Sequence, residues 1–66
     1  MSVLKVIEVL SESEISWEDA ARKAIAKASK TVKNIKSVYV KEQSAAVADG
    51  KITGFRVTLK LAFELE

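Results

Sequence analysis

The sequence predicts a single α+β domain, in which a three-stranded antiparallel sheet wraps around one helix in the order β, α, β, β. Three observations indicate this fold class. Residues 3–10 are rich in Val, Leu and Ile, and a segment with the 3.6-residue period of an amphipathic helix follows them. Two long strand-like segments then flank an Asp-Gly pair, which is a strong hairpin signal. A chain of 66 residues has room for one domain, residues 1–66.

The first strand is predicted over residues 3–10, which are rich in Val, Leu and Ile and are too few for a helix if the element ends at Ser11. Alternate residues of a strand point to opposite faces of the sheet. Both faces are apolar here, so neither is clearly the solvent face. Val3, Ile7 and Val9 share one face, and Leu4, Val6 and Leu10 share the other.

A helix is predicted from residue 16 to residue 33. Its apolar side chains recur at steps of three and four residues: Trp17, Ala20, Ala21, Ala24, Ile25, Ala28 and Val32. Ser16 is a good N-cap, Asp19 can return a capping-box hydrogen bond, and Ile15 can pack on the first turn. Asn34 is expected to end the helix. Because the apolar side is mostly Ala, a sheet can approach the helix backbone closely.

The second and third strands are predicted over residues 35–47 and 51–66, joined through Ala48-Asp49-Gly50. The third strand alternates regularly. Its core face carries Phe55, Val57, Leu59, Leu61, Phe63 and Leu65, and its other face carries Arg56, Thr58, Lys60, Ala62, Glu64 and Glu66. A right-handed crossover places the third strand between the other two, with all neighbours antiparallel.

The predicted sheet is longer than the predicted helix. A strand of about 14 residues extends about 45 Å, whereas a helix of about 18 residues spans about 27 Å. The far end of the hairpin, with Ala45, Ala46, Val47 and Ile52, is therefore uncovered in a single chain. Small domains gain stability from disulfides, metals or self-association, and a chain without Cys or His is left with self-association. The sequence thus predicts an oligomer of identical chains.

Composition excludes several classes of function. Eleven basic and nine acidic residues give a net charge of +2, which does not favour a nucleic-acid partner. No apolar run reaches the roughly 18 residues of a membrane span, and Lys5 and Glu8 interrupt the amino-terminal run, so we expect a soluble cytoplasmic protein without a membrane partner. Without Cys or His there is no zinc site, cysteine nucleophile or histidine base, and we expect no enzyme.

Several segments resemble the dodecins, and together they cover essentially the whole chain. They are Val3-Leu4-Lys5-Val6-Ile7, Ser16-Trp17-Glu18-Asp19-Ala20-Ala21, Ala28-Ser29-Lys30-Thr31, Asn34-Ile35, Val40-Lys41-Glu42-Gln43 and residues 55–65. The resemblance implies a βαββ protomer and a hollow homododecamer of identical subunits. It also implies storage or buffering of a small molecule, a flavin (riboflavin, FMN or FAD), without catalysis.

The resemblance further implies where a flavin would bind, and this sequence departs from the family there. In flavin-binding dodecins a Trp near the start of the second strand stacks on the isoalloxazine, and a Gln on the third strand hydrogen-bonds to the ring edge. Ser37 stands at the Trp position and Arg56 at the Gln position. Alternation places Tyr39 and Gln43 on the same outer face as Ser37. These four residues are the candidate cofactor-binding residues, and weak flavin binding is expected because Ser37 has no ring.

A calcium-binding or purely structural assembly is the second hypothesis. Calcium prefers several oxygen ligands, and dodecins without the stacking Trp include calcium-binding members. Carboxylates gather before and at the start of the helix: Glu8, Glu12, Glu14, Glu18 and Asp19. No calcium-loop motif assigns metal ligands among them, and the helix dipole itself favours acids there. Trp17 is expected to pack over the sheet edge or a subunit boundary rather than to bind the ligand.

Overall fold

The structure is a computed structural model that describes residues 3–65. The elements follow the predicted order: β1 Leu4–Ser13, α1 Trp17–Ala28, β2 Ile35–Ala48 and β3 Lys51–Glu64. The three strands form one antiparallel sheet in the spatial order β1-β3-β2. The predicted α+β fold class, with β3 in the middle of the sheet, is confirmed.

The two faces of the sheet differ in what covers them. We call the face that packs against α1 the inner face and the opposite one the outer face. Val57, Leu59 and Leu61 of β3 point inward and are fully buried together with Ala20 of the helix. Around these four lie half-buried apolar side chains from all the other elements: Ile7, Val9, Trp17, Ala21, Ala24, Ile25, Ala28 and Ile35. The predicted core face of β3 is therefore confirmed.

The first strand is longer than predicted and continues through Ser11 to Ser13. Ser11 and Ser13 are residues typical of a strand end, but in the structure their hydroxyls form hydrogen bonds to the helix. Ser11 Oγ donates a 2.8 Å hydrogen bond to the carbonyl of Ala20, and Ser13 Oγ donates a 2.6 Å bond to Asp19 Oδ2. These bonds tie the end of β1 to the first turns of α1, so the predicted end at residue 10 was wrong.

The start of the helix agrees with the sequence in one respect and differs in two. Ser16 Oγ accepts a 2.9 Å hydrogen bond from the amide of Asp19, which confirms the N-cap. The carboxylate of Asp19 does not complete a capping box, because it turns to Ser13 instead. Ile15 remains exposed, so the predicted packing of its side chain on the first turn was wrong.

The helix ends at Ala28, five residues before the predicted end at residue 33. Ser29 to Thr31 form a turn in which the amides of Lys30 and Thr31 bond to the third carbonyl back rather than the fourth. Asn34 then adopts a φ of 63°, a left-handed conformation that Asn tolerates better than most residues. The shorter helix follows from the need to reverse the chain into β2.

The β2–β3 hairpin closes through the predicted Asp-Gly pair. Asp49 and Gly50 both have positive φ values, 52° and 74°, as the central residues of a type I′ turn require. The β2 strand begins at Ile35 as predicted and ends one residue late, at Ala48. The β3 strand ends at Glu64, and the predicted end at residue 66 lies outside the described residues.

Three irregularities interrupt the pairing of β2 with β3. Two insert an extra residue in β2, at Lys36 and at Lys41, and one inserts Thr53 in β3. After each insertion, the residues of that strand point to the face opposite to the one that uninterrupted alternation would give them, because side chains alternate with a period of two. The pairing of β1 with β3, by contrast, is unbroken over ten residue pairs from Leu4–Glu64 to Ser13–Phe55.

The sheet extends well beyond the helix, as predicted. The Cα atoms span 50 × 20 × 13 Å, whereas a 12-residue helix is about 18 Å long. The helix packs on β1 and β3 and leaves apolar residues of the hairpin open to solvent: Val38 and Val40 are about 40% exposed, Ile52 54% and Val47 66%. Within residues 3–65 no helix is long and apolar enough to cross a membrane.

Candidate ligand-binding face

The outer face carries three of the four candidate binding residues. Residues that pair directly across an antiparallel sheet point to the same face. Ser37 pairs with Ala62, and Tyr39 pairs with Lys60. Arg56 lies on the same side of β3, since it is an even number of residues from both partners. The outer-face positions predicted for Ser37, Tyr39 and Arg56 agree with the structure.

Gln43 does not belong to this face. The extra residue at Lys41 shifts the register, so that Gln43 pairs with Val57, whose side chain is buried against the helix. Gln43 therefore lies on the inner side of the sheet, and the outer-face position predicted by simple alternation was wrong. A ligand on the outer face cannot contact Gln43 of the same chain.

Ser37 and Arg56 lie near opposite ends of the three-stranded part of the outer face. The residue opposite Ser37 is Ala62, six positions along β3 from Arg56. At about 3.3 Å per residue, the two ends are about 20 Å apart along the strand. One chain therefore does not bring the two candidate residues together around a single ligand.

The end that holds Ser37 is mostly apolar. The row across the three strands consists of Val6, Ala62 and Ser37. Val6 is 52% exposed, and Tyr39, one row further along the face, is 65% exposed. An uncovered aromatic ring beside small and apolar side chains suits a planar ligand or the surface of another subunit.

The end that holds Arg56 is charged and already paired. Arg56 Nε lies 3.5 Å from Glu12 Oε1, its cross-strand neighbour on β1. Both side chains are about half exposed, so the ion pair adds little to stability. The ion pair matters for ligand binding, because a carbonyl or phosphate oxygen that approaches the guanidinium must compete with the carboxylate of Glu12.

A second ion pair spans the middle of the face. Lys41 Nζ of β2 reaches over β3 to Glu8 Oε1 of β1 at 3.4 Å. Glu8 also pairs across the sheet with Lys60, which pairs in turn with Tyr39. Glu8 and Glu12 were grouped in the sequence with the helix-start acids, yet they are the partners of the outer-face cations. Strand alternation could have predicted this, because Glu8 and Glu12 are an even number of residues from Leu4 and Val6 and therefore share their face of β1.

Among the described residues the remaining acids do not gather into a metal-binding cluster. Glu18 Oε2 lies 2.5 Å from Arg22, and Asp19 Oδ2 lies 3.4 Å from Lys23, both at i,i+4 spacing on the helix. Among residues 3–65 no group of three or more acidic side chains is close enough to hold a metal ion.

The neighbours of Asp19 stabilise the charged form of its carboxylate. The hydroxyl of Ser13 donates to its carboxylate, and this bond, helped by Lys23 and Arg22, holds the pKa of Asp19 below its usual value. Ser13 also accepts from the amide of Ile15 at 2.9 Å. This network secures the junction between β1 and α1 and lies away from the outer face.

Trp17 lies on the inner side of the sheet, whereas packing over the sheet edge or a subunit boundary was expected. Its ring meets Phe55 edge-on, with 4.9 Å between the ring centroids and 78° between the planes. Phe55 lies two residues from the buried Val57 on β3 and therefore points to the same inner face. The single tryptophan of the chain is therefore separated by the sheet from Ser37 and Arg56.

Comparison with known proteins identifies the family. The family model described as Dodecin matches residues 3–66. The chain belongs to the dodecin family. Among the curated relatives, this dodecin is 42% identical over 66 residues to the calcium dodecin of Mycobacterium tuberculosis, covering 98% of this chain and 92% of the relative. It is 31% identical over 64 residues to the dodecin of Thermus thermophilus, covering 97% and 93%.

Solved dodecin structures share the fold closely. The dodecin of Streptomyces coelicolor superposes with a TM-score of 0.93 at 31% identity, covering 98% of this chain and 93% of that one. The calcium dodecin of Mycobacterium tuberculosis, whose crystal structure is described as holding a novel calcium-binding site, superposes with a TM-score of 0.83 at 39% identity, with the same two coverages.

Proposed function

We propose that this dodecin is a non-catalytic binding protein that assembles into a homododecamer and stores a small molecule, a flavin or a related nucleotide cofactor, against the outer face of its sheet. One observation carries the proposal. Ser37 and Arg56 share an exposed face but lie about 20 Å apart along β3. A complete site at this face therefore needs residues from more than one chain, and an oligomer supplies them.

The exposed apolar surface supports the assembly. On the outer face Leu4, Val6 and Leu10 of β1 are 50%, 52% and 66% exposed. The hairpin adds uncovered apolar residues on the inner face, among them Val47 and Ile52. Apolar patches of this kind on a small chain mark contact sites for other protein surfaces.

Size-exclusion chromatography with light scattering tests the assembly. The expected mass is twelve times that of the chain. A monomer or dimer at micromolar protein would contradict the proposal, because the two ends of the outer face would then have no second chain to complete the site.

Flavin binding is proposed to be weak. Ser37 offers no aromatic surface for stacking, and Arg56 offers only hydrogen-bond donors, one of whose nitrogens, Nε, is ion-paired with Glu12. Riboflavin and FMN titrations followed by quenching of flavin fluorescence measure the affinity. We expect dissociation constants above the micromolar range. Submicromolar binding by the unmodified protein would show that another group supplies the stacking.

Calcium binding is the second candidate function, and the relationship to the calcium dodecin of Mycobacterium tuberculosis favours it. The described acids of one chain provide no group of three carboxylates, and we place such a site between chains. Calorimetric titration of the assembled protein with calcium, with magnesium as the control ion, tests it. Heat of binding for calcium alone supports the candidate, and no heat for either ion removes it.

A further inference from the structure

The charges of the chain are distributed unevenly along the sequence. Residues 24–41 contain no acidic residue but five of the eleven basic ones, which are Lys27, Lys30, Lys33, Lys36 and Lys41. All nine acids lie outside this segment, together with the other six basic residues. The small net charge of +2 therefore conceals a strongly basic segment in an otherwise acidic chain.

Ion pairs neutralise the cations at both borders of this segment but not those inside it. Arg22 and Lys23, just before it, each pair with an acid four residues earlier. Lys41, its last residue, pairs with Glu8. Within residues 3–65 the four lysines between these borders form no ion pair, and all four are exposed. We call them the lysine patch: Lys27, Lys30, Lys33 and Lys36.

The end of the helix aligns the first two lysines of the patch. The amide of Lys30 donates a 3.2 Å hydrogen bond to the carbonyl of Lys27, which is the bond of a 3₁₀ turn. In such a turn, side chains three residues apart lie directly above one another. The side chains of Lys27 and Lys30 therefore extend from the same side of the chain, and a single ligand can reach both ammonium groups.

The sheet brings one more lysine to the patch. Lys33 and Lys36 flank Ile35, the first residue of β2. Ile35 pairs with Phe63 of β3, which pairs in turn with Lys5 of β1. At about 4.8 Å between neighbouring strands, Lys5 lies about 10 Å from Ile35. Lys5 is also exposed and forms no ion pair within residues 3–65, so it adds a fifth cation to this end of the molecule.

Two features of this end oppose the binding of an anion, and both are weaker than the lysines. The carboxyl end of a helix carries about half a negative charge. Glu64 lies at the same end of the sheet, but it pairs with Leu4 on the outer face and forms no ion pair among the described residues. Subtracting both from the five lysines leaves about three positive charges.

The residues between the lysines indicate which anion fits. Ser29 and Thr31 are exposed, and their hydroxyls can donate hydrogen bonds to phosphate oxygens. Residues 27–36 contain no aromatic ring on which a nucleic-acid base could stack. The apolar residues between the lysines, Ala28, Val32 and Ile35, are half-buried, so they offer no exposed side chain for insertion into a membrane. These features favour phosphate groups that carry neither bases nor acyl chains.

We propose that the lysine patch, together with Lys5, binds inorganic polyphosphate, a flexible single chain of linked phosphates. Lysine ammonium groups bind phosphate as point charges and need no fixed geometry. A flexible chain can therefore place a phosphate beside each ammonium group in turn. The proposal does not depend on the oligomer, because all five lysines belong to one chain.

The salt dependence of binding tests the contact with phosphate. Fluorescence anisotropy of end-labelled long-chain polyphosphate measures the affinity of the unmodified protein. Each phosphate contact releases a counterion, so the affinity should fall steeply as salt is added. With a slope of about 0.7 per contact, as for single-stranded nucleic acids, four contacts predict a loss of about 50-fold between about 50 and 200 mM salt.

Two double variants of equal net charge test the position of the site. Lys27→Gln with Lys30→Gln removes two cations from the patch, and the matched control, Arg22→Gln with Lys51→Gln, removes two exposed cations outside it. We expect the patch variant to bind roughly tenfold more weakly than the parent, with a salt slope lower by about one. The control should keep the salt slope of the parent. Circular dichroism of both variants should match the parent, because all four positions are exposed.

Single-stranded DNA and vesicles of anionic phospholipid, compared at the same phosphate concentration, test the choice of partner. We expect polyphosphate to bind most tightly of the three. Tighter binding of the DNA or of the vesicles would overturn the assignment of the partner. Equal affinities of the two folded double variants would overturn the site, and no binding of polyphosphate at low salt would overturn the proposal as a whole.

Discussion

The indole Nε1 of Trp17 donates a 2.8 Å hydrogen bond to the backbone carbonyl of Ser44. This bond joins the first residue of the helix to β2, the strand that the helix otherwise leaves largely open. Together with the edge-on contact to Phe55, it fixes where the helix begins relative to the hairpin. The role of Trp17 within the protomer is thus to anchor the helix.

Trp17→Phe should lower the free energy of unfolding by about 0.5–1.5 kcal/mol, because the ring contact is largely kept while the hydrogen bond to Ser44 is lost. Urea denaturation measures the change. Tyr39→Phe is the control, since it removes a polar atom from an exposed aromatic residue and should stay within about 0.5 kcal/mol of the parent. A Trp17→Phe variant as stable as the parent would mean that the bond contributes nothing.

Ala20→Leu should lower the free energy of unfolding by about 1–3 kcal/mol through overpacking. Ala20 has no exposed surface and lies in the cluster with Val57, Leu59 and Leu61. Ala26→Leu, on an exposed position of the same helix, is the control and should have little effect. Similar losses for the two variants would mean that the buried face of the helix is assigned incorrectly.

Acid should destabilise the protein partly through Asp19. Its pKa is lowered in the folded state, so its contribution to stability is present above the unfolded pKa of about 3.9 and is lost as the pH falls through the folded value. Asp19→Asn should therefore flatten the decrease in stability below about pH 4. Glu14→Gln, in the neighbouring loop, is the control. Parallel pH profiles for Asp19→Asn and the parent would contradict this prediction.

Ser37→Trp should create or strengthen flavin binding. A stacked ring contributes roughly 1–3 kcal/mol in nucleic-acid complexes, which corresponds to about 5- to 150-fold in affinity. Adding Arg56→Gln, which removes the cation paired with Glu12 and supplies an acceptor, should increase it further. Riboflavin fluorescence quenching measures both steps, with Ser44→Trp, at the Arg56 end of the face, as control. No gain in the double variant would mean that the face no longer forms a flavin pocket.

Alternation and periodicity predicted the fold, because the hydrophobic pattern of β3 and the Asp-Gly turn specify the hairpin and its inner face. They could not predict what depends on tertiary contacts. The serines at the end of β1 look like turn formers until the carbonyl of Ala20 and the carboxylate of Asp19 are within reach of their hydroxyls. The sequence carries no local signal for the bulge at Lys41, so the side on which Gln43 lies could only be found in three dimensions.

The folded chain is only 13 Å thick, and four apolar side chains among the described residues account for its fully buried core. A single chain this thin has a very small hydrophobic core, and more apolar surface can be buried only in contacts between chains. Any contact that forms between folded chains but not between unfolded ones stabilises the fold by mass action. The melting temperature of this protein should therefore rise with its concentration, and variants can be compared only when they are unfolded at the same protein concentration.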